Sequence, residues 1–172
     1  MHFIRLSHLS RALGALLLAL AGGMAQAQAL PPGVHLGMSA DELRAALPGL
    51  EHVQRPQRLA GGLAGSWRAA PSIIAGLPFE PVFYFAGDEL RRVEWSASTD
   101  QLPDLGAAAF AEILAWGRGN FGPELASYDP SSAYAAWVQG DADVYAQRNS
   151  DPRHASVRLV YKIRVLKDGS EL

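Results

Sequence analysis

Outside the first thirty residues, the side chains best able to move a proton or hold a metal near neutral pH are His35, His52 and His154. They stand far apart, and none has HxH or HExxH spacing. A zinc centre needs three or four N, S or O ligands within tetrahedral reach, so the three read as surface histidines. Ser39, Ser66, Ser96 and Ser98 lack the GxSxG elbow that lifts a nucleophilic serine above a sheet. Asp141 and Asp143 in QGDADVY begin like a calcium loop, but the twelfth position, where an EF-hand places glutamate, is Pro152. Gly61, Gly62 and Gly65 do not form GxGxxG, and the segment reads as a flexible loop rather than a phosphate cradle. Asp88 and Glu89 fall at an expected hairpin tip, where solvation accounts for them. No nucleophile, base and oxyanion site assemble from these residues, so the expectation is a protein that is not an enzyme and uses no cofactor or metal.

Compartment is written in the opening MHFIRLSHLSRALGALLLALAGGMAQAQALPPG. Arg5 and Arg11 make a positive start, Leu13 to Leu20 an apolar centre, and Ala25-Gln26-Ala27 and Ala27-Gln28-Ala29 small-residue cleavage sites. The order is that of a secretory signal peptide over residues 1–29, cleaved after Ala27 or Ala29, and its apolar centre is too short to span a bilayer. The expected location is the periplasm. The chain has no cysteine, so it forms no disulfide, and no lipid anchor attaches through an N-terminal cysteine. Removing Arg5 and Arg11 from the 15 basic residues leaves 13 against 17 acidic ones, a balance of about −4. Such a surface has no field to attract nucleic acid or anionic lipid. Residues 30–172 are long enough to fold around a core of their own, as a single domain with candidate halves 33–99 and 102–166.

The elements that would position any site follow from periodicity. Ser39 and Glu42 have capping-box spacing ahead of Leu43, Ala46 and Leu47, and Pro48-Gly49 ends a short helix. Residues 51–65 are broken by Pro56 and three glycines, and read as a strand entering a loop or as loop throughout. A strand resumes near Ser66–Ala69. Val82–Phe85 and Leu90–Trp95 flank Gly87-Asp88 as a hairpin. A second helix is expected from Asp104 to Arg118, capped by Asp104 and stopped by Gly119 and Gly122-Pro123. Ala133–Val138, Asp143–Arg148 and Val157–Val165 read as three further strands, and KDGSEL as a frayed tail. Trp67, Trp95, Trp116 and Trp137 each fall within an element, which favours packing over display. The order helix, three strands, helix, three strands, with a candidate tandem repeat, implies an α+β fold: an antiparallel sheet with both helices on one face and the other face open.

Alternation then assigns the faces. Val93, Trp95, Val157, Leu159, Tyr161 and Ile163 should pack under the helices, which turns Arg92, Glu94, Arg158 and Lys162 outward, with Tyr84 beside them. That is a mixed polar and aromatic face of the kind proteins and peptides bind.

The stretch GVHLGMSADELRAALPGLE resembles the G-x-x-x-G-M-[ST]-x-x-[EQ]-[VL] opening of the small outer-membrane assembly lipoproteins of the BamE (SmpA/OmlA) type. PVFYFAGDELRRVEW resembles the hairpin that follows in that family. The unit, doubled, is similar to the β-lactamase inhibitor protein fold, whose two repeats present a concave sheet to a partner enzyme. The resemblance implies an exported protein with a role in envelope maintenance. The family's lipobox cysteine is missing here, so its membrane anchor does not carry over, and the second half exceeds one BamE unit. The leading expectation is therefore a soluble periplasmic protein of binding type whose partner is another envelope or exported protein or a peptide. The alternatives are an inhibitor of a hydrolase such as a β-lactamase or lysozyme, acting through the loop Arg55 to Gly65, and an enzyme of unrecognised class.

Overall fold

A computed structural model describes residues 30–128 and 132–165. The expected leader at 1–29 and the tail at 167–172 lie outside the described residues. The hairpin at Gly87 is the frame for the rest. β4 (Leu77–Ala86) and β5 (Glu89–Ser98) are rich in Val, Phe, Tyr and Trp, which fit a pleated, half-buried surface. They pair antiparallel around Gly87, whose φ of 62° lies in the left-handed region that glycine enters without strain. Ahead of them come α1 (Ala40–Ala46), the two-residue β1 (Glu51–His52), a 3₁₀ turn (Ala60–Gly62), β2 (Ala64–Arg68) and β3 (Ser72–Ile74). After them come α2 (Ala107–Phe121), β6 (Leu125–Tyr128), β7 (Ser132–Gln139), β8 (Ala142–Asn149) and β9 (Ser156–Ile163). All pairings are antiparallel, in the order β1-β2-β4-β5-β9-β8-β7-β6, with β3 folded back on the first half of β4.

This corrects the expected architecture. Among the described residues a nine-stranded sheet dominates, with two α-helices, and five strands separate the helices while four follow the second. An even alternation of one helix and three strands is not present, nor is a pair of matched units: one helix has 7 residues and the other 15. The additional strands were hidden for local reasons. β1 is only two residues long, too short for any periodicity, and exists because Glu51 and His52 pair with Arg68 and Trp67. β3 reaches β4 through Ala75 and Gly76, both at positive φ (48° and 73°), and alanine is not a residue that announces such a turn. β6 is a four-residue edge strand whose partner, β7, begins only after residue 131.

α1 has the expected reciprocal cap. Ser39 Oγ accepts from the Glu42 amide at 3.3 Å, and Glu42 Oε2 accepts from the Ser39 amide at 2.7 Å. The approach to α1 is stitched to β5, since the Gly37 amide donates to the Leu90 carbonyl and the Leu90 amide to the Met38 carbonyl, at 2.7 and 2.8 Å. α2 starts three residues later than its spacing suggests. Asp104 still accepts from the Gly106 and Ala108 amides, at 3.1 and 2.8 Å, while Gly106 itself occupies the cap position in the left-handed region. Gly119 does not stop the helix, which runs on to Phe121 and ends at Gly122, the second of the expected stops. Gly117 is interior because a Cβ there would sit 2.3 Å from the Trp137 ring, so α2 lies directly on β7.

One apolar cluster holds the molecule together. It takes Leu43 from α1, Phe110, Ile113 and Leu114 from α2, and one face of the sheet: Phe83, Val93, Trp95, Ala135, Trp137, Val144, Val157, Leu159 and Tyr161. Val93, Trp95, Val157, Leu159 and Tyr161 are buried where alternation puts them, whereas Ile163 is only half-buried at the end of β9. Trp67 and Trp116 pack at the margin of the cluster. The opposite face carries no α-helix among the described residues, and the 3₁₀ turn at Ala60–Gly62 lies at one end of it.

Candidate functional site: the outer face of the sheet

Strand pairing lays the outer face out as three rows. Tyr84, Arg92, Lys162 and Asp143 face one another across β4, β5, β9 and β8. Val82, Glu94, Val160 and Tyr145 form the second row. Ser96, Arg158, Gln147 and Tyr134 form the third, which ends on β7. The five residues expected on an open face, Tyr84, Arg92, Glu94, Arg158 and Lys162, are therefore neighbours, brought together from β4, β5 and β9.

They are joined by contacts as well as by register. Glu94 lies at the centre. Its Oε2 accepts from Arg92 Nε at 3.2 Å and from Arg92 Nη2 at 2.5 Å, and its Oε1 lies 3.4 Å from Arg158 Nη1. Arg158 Nη2 donates to Gln147 Oε1 at 2.6 Å. The Arg92 guanidinium sits between two rings, 5.7 Å from the Tyr84 centroid and 5.6 Å from that of Tyr145. Burial works against the Arg92 charge, but the Glu94 carboxylate and the neighbouring Tyr145 outweigh it and hold the guanidinium more firmly protonated than usual. Lys162 Nζ is 6.0 Å from the Tyr145 centroid and 3.6 Å from Asp143 Oδ2, just outside hydrogen-bond length, and Arg164 Nε is 3.7 Å from the same carboxylate.

The five do not share one environment. Tyr84 is 2% exposed: its hydroxyl donates to Gln57 Oε1 at 2.8 Å, and Gly65 packs on its ring so closely that a Cβ there would lie 3.0 Å away. Burial, and then the nearby Glu94, push the Tyr84 phenol above its ordinary range. Tyr84 is thus a platform beneath the 53–63 loop, and Glu94 is likewise covered. Arg158 and Lys162 are the two that present charge to solvent. Asp143, Tyr145, Gln147 and Gln57 were missed as site residues. The first three alternate along β8 in phase with Arg158, Val160 and Lys162, a signal visible in the sequence once β8 and β9 are known to pair.

At the end of this face a cleft of about 400 Å³ opens between the loop residues Ala60, Gly61 and Leu63 and the strand ends carrying Arg92, Asp143, Lys162 and Ile163. His35, His52 and His154 are exposed and on separate elements, with His52 standing edge-on to Trp67 at 5.0 Å. No group of three His, Asp or Glu among the described residues is placed to hold a metal ion, and no described helix is long and apolar enough to cross a membrane. Comparison of the chain with protein families, with curated proteins and with solved structures finds no match.

Proposed function

We propose that this is an exported, periplasmic protein of binding type, not an enzyme, which docks a partner polypeptide on the outer face of its sheet. The observation that carries the reading is the Arg92–Glu94–Arg158–Gln147 network, which is built over the buried Tyr84 and holds Arg158 at the surface beside the partly exposed Tyr145. Arginine and tyrosine are the residues that recur at interface hot spots, and a network already fixed by its own hydrogen bonds loses little freedom on binding. The BamE-like wording of GVHLGMSADELRAALPGLE agrees with a place in the envelope. The test is site-specific photocrosslinking in periplasm, with the crosslinker at Gln147 or Tyr134 on the outer face and at Glu112 on α2 as the control. A discrete adduct from the outer positions alone is expected. No adduct from them across growth conditions would overturn the proposal.

A second reading is inhibition of a hydrolase through the 55–65 loop. In its favour, the loop is exposed yet held in one shape, with the Leu59 amide on the Leu63 carbonyl and the Gly65 amide on the Gln57 carbonyl, both at 2.9 Å. A pre-shaped loop avoids ordering entropy when it enters a site. Uniform inactivity against β-lactamases and lysozymes would remove it.

A further inference from the structure

The network on the outer face has a sign. Its carboxylates, Glu94 and Asp143, are each shared by two cations: Glu94 by Arg92 and Arg158, Asp143 by Lys162 and Arg164. The acids also lie deeper. Side-chain exposure is 11% for Glu94 and 31% for Asp143, against 39%, 44% and 42% for Arg158, Lys162 and Arg164. A chain whose formal net charge is −2 therefore turns positive charge outward here, from four cations against two carboxylates. The two exposed cations on β9, Arg158 and Lys162, are four residues apart on the same side of the strand, about 13 Å at the rise of an extended chain. Between them on the same face lie the buried Val160 and its register partner Tyr145 on β8.

We infer that the face takes an extended, acidic segment of a partner polypeptide, with carboxylates four residues apart and an apolar side chain midway. Such a segment repeats the 13 Å spacing, because alternate side chains of an extended chain share one side. It places one carboxylate on Arg158, the other between Lys162 and Arg164, and its middle side chain on Tyr145. The inference rests on the reading of this face as a partner-binding surface and adds the chemistry of the partner. A membrane surface fits less well, since polybasic lipid sites gather some 4–8 unopposed cations. Exposed acids stand at the margins of the patch, Glu80 on β4 two strands from Arg158 and Asp141 in the turn between β7 and β8.

The test uses the purified chain and labelled synthetic octapeptides followed by fluorescence anisotropy. One peptide carries glutamates four apart with leucine midway; its comparators carry the glutamates three apart, or lysines in their place. The expected result is saturable binding of the first, at least fivefold weaker binding of the three-apart peptide, none of the lysine peptide, and affinity that falls as salt rises. Lys162→Gln and Arg158→Gln should each weaken binding roughly threefold and together about tenfold, the range for partly exposed ion pairs. Arg44→Gln on α1, with thermal unfolding as the fold check, should change nothing. Equal binding of the lysine peptide, indifference to both substitutions, or preference for phosphatidylglycerol vesicles over the acidic peptide would each overturn the inference. A polypeptide that crosslinks from Gln147 yet binds with no salt dependence would leave the docking proposal standing and remove the acidic assignment alone.

Discussion

Replacing Glu94 by Gln isolates the electrostatics of the outer face. The change keeps shape and one hydrogen-bond acceptor but removes the charge that Arg92 and Arg158 share. The Arg92 side chain is only 14% exposed, so its guanidinium would be left largely desolvated with no counter-charge in contact. Removing one partner of a buried pair typically costs about 3–5 kcal/mol, and with Arg158 partly in water the low end, about 3 kcal/mol, applies. For a domain of this size that is a fall of roughly 10 °C in Tm. Urea unfolding should show it as a lower midpoint with unchanged slope. The decisive comparison is the double variant Arg92→Met/Glu94→Leu. If the penalty comes from an unpaired charge, removing both partners should restore most of the loss, leaving the protein within about 1 kcal/mol of the parent. A Glu94→Gln variant within about 0.5 kcal/mol of the parent, or a double variant as unstable as the single one, would refute this account of the network.

Three further outcomes are expected. Gly117→Ala should destabilise by about 1–3 kcal/mol, because its Cβ would meet the Trp137 ring at 2.3 Å, while Gly119→Ala, with open space around it in the same helix, should stabilise by up to about 1 kcal/mol in thermal unfolding. The Tyr161 hydroxyl is buried with no hydrogen-bond partner among the described residues and burial pushes its phenol far up, so Tyr161→Phe should be neutral or stabilising by chemical denaturation; Tyr84→Phe should cost about 1 kcal/mol because it removes the hydrogen bond to Gln57. Glu124, hydrogen-bonded by Arg118 at 2.8 and 2.5 Å, has its carboxyl lowered to about 2, so the stability it contributes is complete above its ordinary value and is lost as pH falls from about 4.5 towards 2. NMR titration should find that midpoint, and Arg118→Gln should return it to the ordinary carboxylate range.

Of the candidate site, the residue set on β4, β5 and β9 could be read in advance, because alternation in RRVEW and in SVRLVYKI fixes which side chains share a face. Their accessibility could not. Tyr84 is roofed by a loop whose path depends on a bridge between Arg58 and Ala64 and on Gln57 reaching the Tyr84 hydroxyl, contacts set by packing rather than by local pattern. Asp143 read as a strand start and Tyr145 as an ordinary strand residue until the register Tyr145–Val160–Glu94 put them beside the arginines.

The sequence by itself determined the local structure: the Ser39–Glu42 cap, the hairpin at Gly87, and the inward set Val93, Trp95, Val157, Leu159 and Tyr161. Each depends on residues a few positions apart, where propensity and periodicity act directly. Only the tertiary structure decided how many strands there are and how they meet. β1, β3 and β6 are too short to carry a period and form because a longer strand offers them an edge. The pairing of β5 with β9, from Ser98 with Ser156 to Arg92 with Lys162, joins segments far apart in sequence, makes one shared counter-ion of Glu94 and gives the outer face its charge.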